Sequence, residues 1–284
     1  MRIAFIILAH KNPEQLLQLL RRLSHPRVDC YVHLDARADT LAFTEAAQLP
    51  QVYFIPGRIK VHWAGFSMVK ATLNSLDVVL GSRRKYLNIS LLSGLDYPLR
   101  PIHEIVDFFT IHQGNEFLDI MPEKEVAATI SKLDRYHFED IQFKGKYFLT
   151  RWINRIMPSR KCPMNFTFTG GSQWWSLSED CLRFCKEFLE EQPSFIKYFR
   201  YTWGSDEFIF HTIIMNNPEW SKKVVRDNLR YIDWSARQAS PKVLGPGDLP
   251  NMIASGKFFA RKFDTNIHPN ILNKVDALLE DAIR

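Results

Sequence analysis

The first 121 residues constrain the fold more tightly than any other feature of the chain. Apolar runs at "RIAFIILAH" (2–10), "VDCYVHLD" (28–35), "QVYFIP" (51–56), "KYLNISLLSG" (85–94) and "NEFLDIM" (115–121) are interspersed with helix-like stretches at 11–23, 67–81 and 102–112. The runs are nearly continuous rather than alternating, so each strand is buried on both faces. That is the pattern of a parallel sheet covered by helices on both sides, an α/β fold. The first helix carries start signals: Asn12 as N-cap, Pro13 at the first helical position and Gln15 at capping-box spacing. Ligands of such sheets bind beyond the carboxyl ends of the strands, which singles out His10, Lys11, Asp35, Ser93 and Asp96.

The character changes at 122–165, a charged and aromatic stretch that reads as an insertion of helix and loop, a substrate-facing lid. "FTFTGGSQWWSLS" (166–178) returns to strand, broken at Gly170-Gly171, and Ser178 caps the helix that follows. In "TWGSDEFIFHTI" (202–213) Ser205 reads as an N-cap, with Asp206 and Glu207 in the first turn of a helix whose Phe208, Ile209 and Phe210 face a core. "VVRDNLRYIDW" (224–234) reads as strand, and "FFARKFD" (258–264) as a short strand or turn before a final helix.

A net charge of +6 and a pI near 9.1 call for an anionic partner. The cations are scattered, and no zinc-finger or RNP-type string is present, so nucleic acid is not expected. The four cysteines, Cys30, Cys162, Cys181 and Cys185, form no CxxC pair and suggest neither disulfides nor zinc. The apolar run at 3–9 is too short to span a membrane and lacks a signal peptide's flanks. The expectation is a cytoplasmic protein, docked peripherally on the inner face of an anionic membrane through its basic surface.

No GxGxxG follows the first strand, no GxxxxGK[ST] occurs, and neither DxD nor HExxH is found. No metal or other cofactor is therefore expected, and fixed cations must neutralise any departing diphosphate. Arg261 and Lys262, set among Phe258, Phe259, Ala260 and Phe263, suit that task, a guanidinium fork beside an ammonium.

Eight short strings in order, "VHLD" (32–35), "VHWAGFSMV" (61–69), "SGLDYPLRP" (93–101), "GGSQWW" (170–175), "SDEF" (205–208), "RYIDW" (230–234), "GPGDL" (245–249) and "FFARKFD" (258–264), resemble the core 2 / I-branching β-1,6-N-acetylglucosaminyltransferase family, glycosyltransferase family 14, which also contains the peptide O-xylosyltransferases. The resemblance runs from about residue 3 to 265 and looks like that of a compact bacterial relative. It implies a single GT-A domain over 1–284, with a Rossmann-like, mostly parallel sheet, a nucleotide-binding half (1–121), the variable insertion (122–165) and an acceptor and catalytic half (166–284). It implies inverting, metal-independent transfer from a UDP-sugar, GlcNAc or xylose, to a hydroxyl of a glycan or lipid-linked glycan in surface polysaccharide synthesis.

By the same resemblance Glu207 is the general base, oriented and kept ionised by Ser205 and the helix dipole. Arg261 and Lys262 hold the diphosphate. Asp35 matches a donor-site residue of the family, and His10, at the end of the first strand, and Trp63 are read from their positions as further donor-side candidates. Trp234, Asp96, Asp206 and Trp174 face the acceptor. Where the xylosyltransferases carry an Asp after GGS, this chain has Gln173. Where the branching enzymes carry a further Arg, it has Ala239, leaving Arg237 or Lys242 to complete the clamp. Two other classes compete: a nucleotidyltransferase, which would need a carboxylate-held Mg²⁺, and a non-catalytic sugar- or lipid-glycan-binding protein.

Overall fold

The computed structural model describes residues 1–281. Its centre is the strand Arg2–Ala9 (β1), lying parallel between Val28–Leu34 (β2) and Tyr86–Ser93 (β4), with Ile3 opposite Val28 on one side and Asn88 on the other. Every residue of β2 and β4 is buried, as the continuous apolar runs require. The period of two in β1 divides the core. Ile3, Phe5, Ile7 and Ala9 join Leu16, Leu19 and Leu20 of helix Pro13–Arg22 on one face. Ala4, Ile6 and Leu8 join Val69, Leu76 and Val79 of helix Phe66–Leu80 on the other. Each such fully buried side chain contributes about 1.5–3 kcal/mol relative to exposure.

Val52–Phe54 (β3) extends this sheet beyond β2. On the far side Glu116–Phe117 (β6), Ser176–Leu177 (β7) and Val224–Val225 (β8) complete seven strands in the order β3-β2-β1-β4-β7-β6-β8, with β7 antiparallel to both neighbours. A second sheet of three strands is made by Asp96–Pro98 (β5), Arg230–Ile232 (β9) and Phe259–Arg261 (β10), with β10 in the middle. Both sheets mix strands from before 121 and after 166. The two expected halves are thus interleaved, and the basic pair at 261–262 is delivered to the end of the first half by pairing with β5.

Several local expectations are corrected. Asn12 has left-handed backbone (φ 54°) and caps nothing; its side chain bonds Asp264 and Asn266 instead. Gln15 is buried and ties the C-terminal segment to the first helix through Gly94, Phe263 and Thr265. The 166–178 stretch contributes only Ser176–Leu177 as strand. Residues 224–234 are not one strand: Leu229 at φ 63° breaks the run, sending its two parts into different sheets. Ser178 does cap its helix, accepting from the Cys181 amide at 3.1 Å. The insertion consists of helices Glu123–Ala128, Ile130–Asp134 and Lys146–Ile156 with connecting loops, as expected. The four cysteines are free thiols.

Candidate active site

The site lies where β1, β2 and β4 end. Asp35 directly follows β2 and is buried, accepting four hydrogen bonds: from the backbone N, Nε and Nη2 of Arg37 (2.8, 2.9 and 2.9 Å) and from the Val61 amide (3.0 Å). Burial would raise its pKa, but Arg37 and these donors outweigh that and hold it at about 2. Arg58 donates to the carbonyls of Leu34, Asp35 and Ala38, closing the turn beneath it. Asp35 is therefore an ionised carboxylate whose position is over-determined.

His10 follows β1 in the same neighbourhood. Loss of water lowers its pKa first, and Lys11, Lys262 and Arg37 lower it further while Asp35 opposes them. Lys11 is paired to Asp264 at 2.6 Å. Lys262 is half-buried; desolvation, then Lys11 and Arg261, lower its pKa.

Arg261 is buried yet makes few bonds of its own. It is 8% exposed and stands 4.0 Å over the ring of Trp174, with Nε 3.4 Å from Asp96. Its Nε and Nη1 are buried and make no hydrogen bond. Burial lowers its pKa, and Asp96 opposes this. Asp96 is fully buried between Arg261 and Arg230 and accepts from the Ser93 amide at 3.1 Å. Arg230 donates to the carbonyls of Asn228, Leu91 and Trp175. Asp96, expected to face the acceptor, is instead enclosed as the counter-charge that seats Arg261. Trp174, also expected there, is 9% exposed and forms the floor under that guanidinium. Trp175 is core.

The carboxylate pair sits on the other side of the same stretch of chain. The Gly171 amide donates to the Glu207 carbonyl at 3.0 Å. From Gly171 to Trp174, the floor of Arg261, is three residues, a span of at most about 11 Å. Only glycine fits at 171, since a Cβ there would stand 1.9 Å from the Asp119 carbonyl oxygen. Gly204, at φ 63°, accepts from the Glu207 amide at 2.9 Å and leaves room for the Glu207 carboxylate.

The helix expected from Ser205 begins later. Ser205–Glu207 is a single 3₁₀ turn and the α-helix starts at Ile209. Ser205 is buried with its hydroxyl unpartnered, so it does not cap. Burial raises the Glu207 pKa, and what draws it back down is Lys132, 3.8 Å away, rather than a cap or a helix dipole. Asp206 is pushed up to about 7, first by burial and then by Glu207, and one of its oxygens is buried without a partner. It shares a narrow cleft with Gln173 and Trp175. His211, one turn on, makes no bond to Glu207; it is wholly buried beneath Gly171, with its pKa pushed down to about 4 by burial.

Lys132 also lies 4.1 Å over Trp203, which meets Trp63 edge-to-face at 5.2 Å. Trp63 is 59% exposed and two residues beyond the Asp35-bound Val61, so it spans donor and base sides. Trp234 is exposed on the loop after β9. Lys242 is occupied by Asp248 and Asp233, and Arg237 is solvent-exposed. Residues that the sequence reading missed are Arg37, Arg230 and Lys132. The first two lie within or beside quoted strings, and charge at a strand end was their available signal. Lys132, in the insertion, had none. Among the described residues no three His, Cys, Asp or Glu side chains converge in a group that could hold a metal ion.

The strand ends of this α/β sheet thus gather buried arginines, an ionised aspartate and a raised carboxylate pair, where sheets of this kind place their ligand sites. The model of the Core-2/I-Branching enzyme family matches residues 3–253, and the chain belongs to that family. With this sheet order, its architecture is the GT-A arrangement expected above. Similar curated proteins include a xylosyltransferase of Ciona intestinalis (25% identical over 97% of this chain and 34% of the relative) and xylosyltransferase 2 of Rattus norvegicus (26%; 97% and 33%). The chain thus spans about a third of the length of the curated relatives it matches. Among solved structures, mouse xyloside xylosyltransferase 1 is similar at TM-score 0.42 and 12% identity, covering 92% of this chain and 97% of that one. No helix among the described residues is long and apolar enough to cross a membrane.

Proposed function

We propose that the chain transfers a sugar from a UDP-sugar to a glycan hydroxyl with inversion at the anomeric carbon. The observation that carries this reading is Arg261: a buried guanidinium whose Nε faces Asp96 and whose Nη1 has no partner, held over Trp174 a short stretch of chain away from Glu207. Burying a cation with open donors is costly unless an anion completes it, and a diphosphate beside Lys262 does so. Asp35, His10 and Trp63 line the donor side. Glu207, whose carboxylate form Lys132 favours against the effect of burial, takes the proton of the acceptor hydroxyl as its oxygen attacks the anomeric carbon from the face opposite the diphosphate. The bond to UDP breaks, and Arg261 and Lys262 stabilise the charge that leaves with it. Asp206, holding a proton to about pH 7, is suited to donate to a sugar hydroxyl at the cleft it shares with Gln173. Fixed cations in place of a carboxylate-held ion support the metal-free reading. The names of the similar curated proteins favour xylose as the transferred sugar; Gln173 in place of the xylosyltransferase Asp favours GlcNAc.

Thermal denaturation with a panel of UDP- and GDP-sugars, each with EDTA and with Mn²⁺, tests the donor half of this reading. One UDP-sugar should raise the melting temperature equally under both conditions; a shift that needs Mn²⁺ refutes the metal-free clamp. For the base, Glu207→Gln should retain that shift and lose about 10²–10⁴-fold in turnover. Undiminished turnover would remove Glu207 from the mechanism.

A further inference from the structure

Helix Lys146–Ile156 has its polarity reversed for a helix on a water-facing surface. The stripe turned to the protein is polar: Lys146 is buried on Glu139 at 2.7 Å, and Asn154 bonds both the amide and the carbonyl of Tyr136 at 2.8 Å. The outward face is apolar: Tyr147, Phe148, Trp152 and Ile156 are 69%, 70%, 52% and 57% exposed. Ile141, Phe143 and Met157 continue it. Amphipathic helices ordinarily bury the apolar stripe, and a contiguous exposed apolar patch marks a surface that something covers.

Charge identifies the occupant. Over 141–161 the chain has six cations and no acid. Of these, Lys144, Arg151, Arg155 and Lys161 are exposed, around and between the aromatic rings. A second copy laid on this face would bring like charges together with no carboxylate to answer them. A lipid surface carrying anionic headgroups accepts both features: the rings enter the headgroup–acyl boundary while the long cationic side chains reach the phosphates.

We propose that helix Lys146–Ile156 lies in the interface of an anionic bilayer and moors the protein there. The insertion that carries it also supplies Lys132 to Glu207 and Asp140 to the amide of Ser67. The moored face therefore holds the acceptor side of the site toward the membrane. It follows, on the transferase reading above, that the acceptor is a lipid-linked glycan.

Co-sedimentation of the full chain with phosphatidylcholine vesicles, with and without phosphatidylglycerol, tests the mooring. Anionic vesicles should bind at least about tenfold more protein, and added salt should weaken the binding. Phe148→Glu with Trp152→Glu, and separately Arg151→Glu with Arg155→Glu, should each cut it about tenfold at unchanged melting temperature. Equal binding to both vesicles, binding to neither, or a dimer in sedimentation velocity that the Phe148→Glu/Trp152→Glu variant abolishes would overturn the proposal. The UDP-dependent thermal shift of these variants reads the donor site separately, so failure of the mooring and failure of the transferase reading are distinguishable.

Discussion

At the donor end of the sheet, Asp35 accepts four hydrogen bonds and Asp96 is sealed between two arginines; in the insertion, an eleven-residue helix is held by one ion pair and one asparagine. The first region is arranged before any ligand arrives. Its carboxylates are fixed by hydrogen bonds and by neighbouring arginines, one of them exposed (Arg37) and two buried (Arg230, Arg261). On the proposed reading this would leave little reorganisation for the departure of a diphosphate. The second reaches the site through Lys132 to Glu207 and Asp140 to Ser67. It is tied to the core by buried Leu133, by the Tyr198 hydroxyl donating to the Leu133 carbonyl and by Arg160 donating to the carbonyls of Tyr198 and Tyr201, while its last helix keeps its apolar surface outside. Within it, helix Lys146–Ile156 rests on few contacts and opens at lower free energy than the sheet. On the transferase reading proposed above, donor recognition would be built into the core, while acceptor recognition would sit beside the more loosely held helix of the insertion.

The comparison is broken most forcefully at Arg261. Its removal leaves Asp96 buried against Arg230 alone. We expect Arg261→Ala to cost about 3–5 kcal/mol of stability and to abolish the UDP-dependent thermal shift. Lys262→Ala, at a half-buried position with no ion-pair partner among the described residues, should weaken the shift at near-native stability. The double variant Arg261→Met/Asp96→Asn removes both charges and should recover much of the stability without recovering UDP binding. If it restores both, Arg261 is a structural cation and the clamp lies elsewhere.

The carboxylate pair yields a pH signature. Lys132 favours ionised Glu207, so Lys132→Met should move the acid limb of kcat/KM to higher pH. Asp206 acts on stability. Its folded pKa is raised from the ordinary 3.8 to about 7, so the folded state holds the extra proton. Its contribution is full below about pH 4 and is lost as the pH rises through about 7. Asp206→Asn should flatten that decline and gain about 2–3 kcal/mol at pH 8 relative to pH 5, read by chemical denaturation at both. An acid limb unmoved by Lys132→Met would mean that the insertion does not govern the base.

How much of this was legible in the sequence follows the same division. The three central strands of the large sheet announced themselves because strands buried on both faces are mostly apolar throughout, with polar residues such as Asp29 and Asn88 too few to break the run. The short strands at 176–177 and 224–225 carried no such signal. Asp35 and the 261–262 pair were legible as charges placed at strand ends. Their bonding was not. Asp96 reads like any aspartate before a turn, and only the pairing of β10 with β5 shows that it opposes Arg261. Ser205 had the residue types of a cap but not the backbone, because Gly204 and the 3₁₀ turn delay the helix to Ile209. Glu207 could be located from its string, yet the group that sets its ionisation sits in the insertion, far off in sequence and outside any recognisable motif.

The smallest effect we expect tests the seam between the two regions. Helix Phe66–Leu80 has Gly65 at its N-cap, so no local side chain satisfies its first amides. Asp140, from the insertion, does so in trans: both carboxylate oxygens accept from the Ser67 amide at 3.1 Å. A cap of this kind is worth about 0.5–2 kcal/mol, so Asp140→Ala should lower stability by about 1 kcal/mol. The loss should be local as well as small. Amide exchange should quicken across 123–160 while β1 keeps its protection, and KM for the acceptor should rise while the UDP-dependent thermal shift stays. Asp140→Asn, which keeps an accepting oxygen, should fall between wild type and alanine. A uniform loss of protection reaching β1 would show that the insertion is continuous with the core, and the contrast between a fixed donor end and a movable acceptor side would fail.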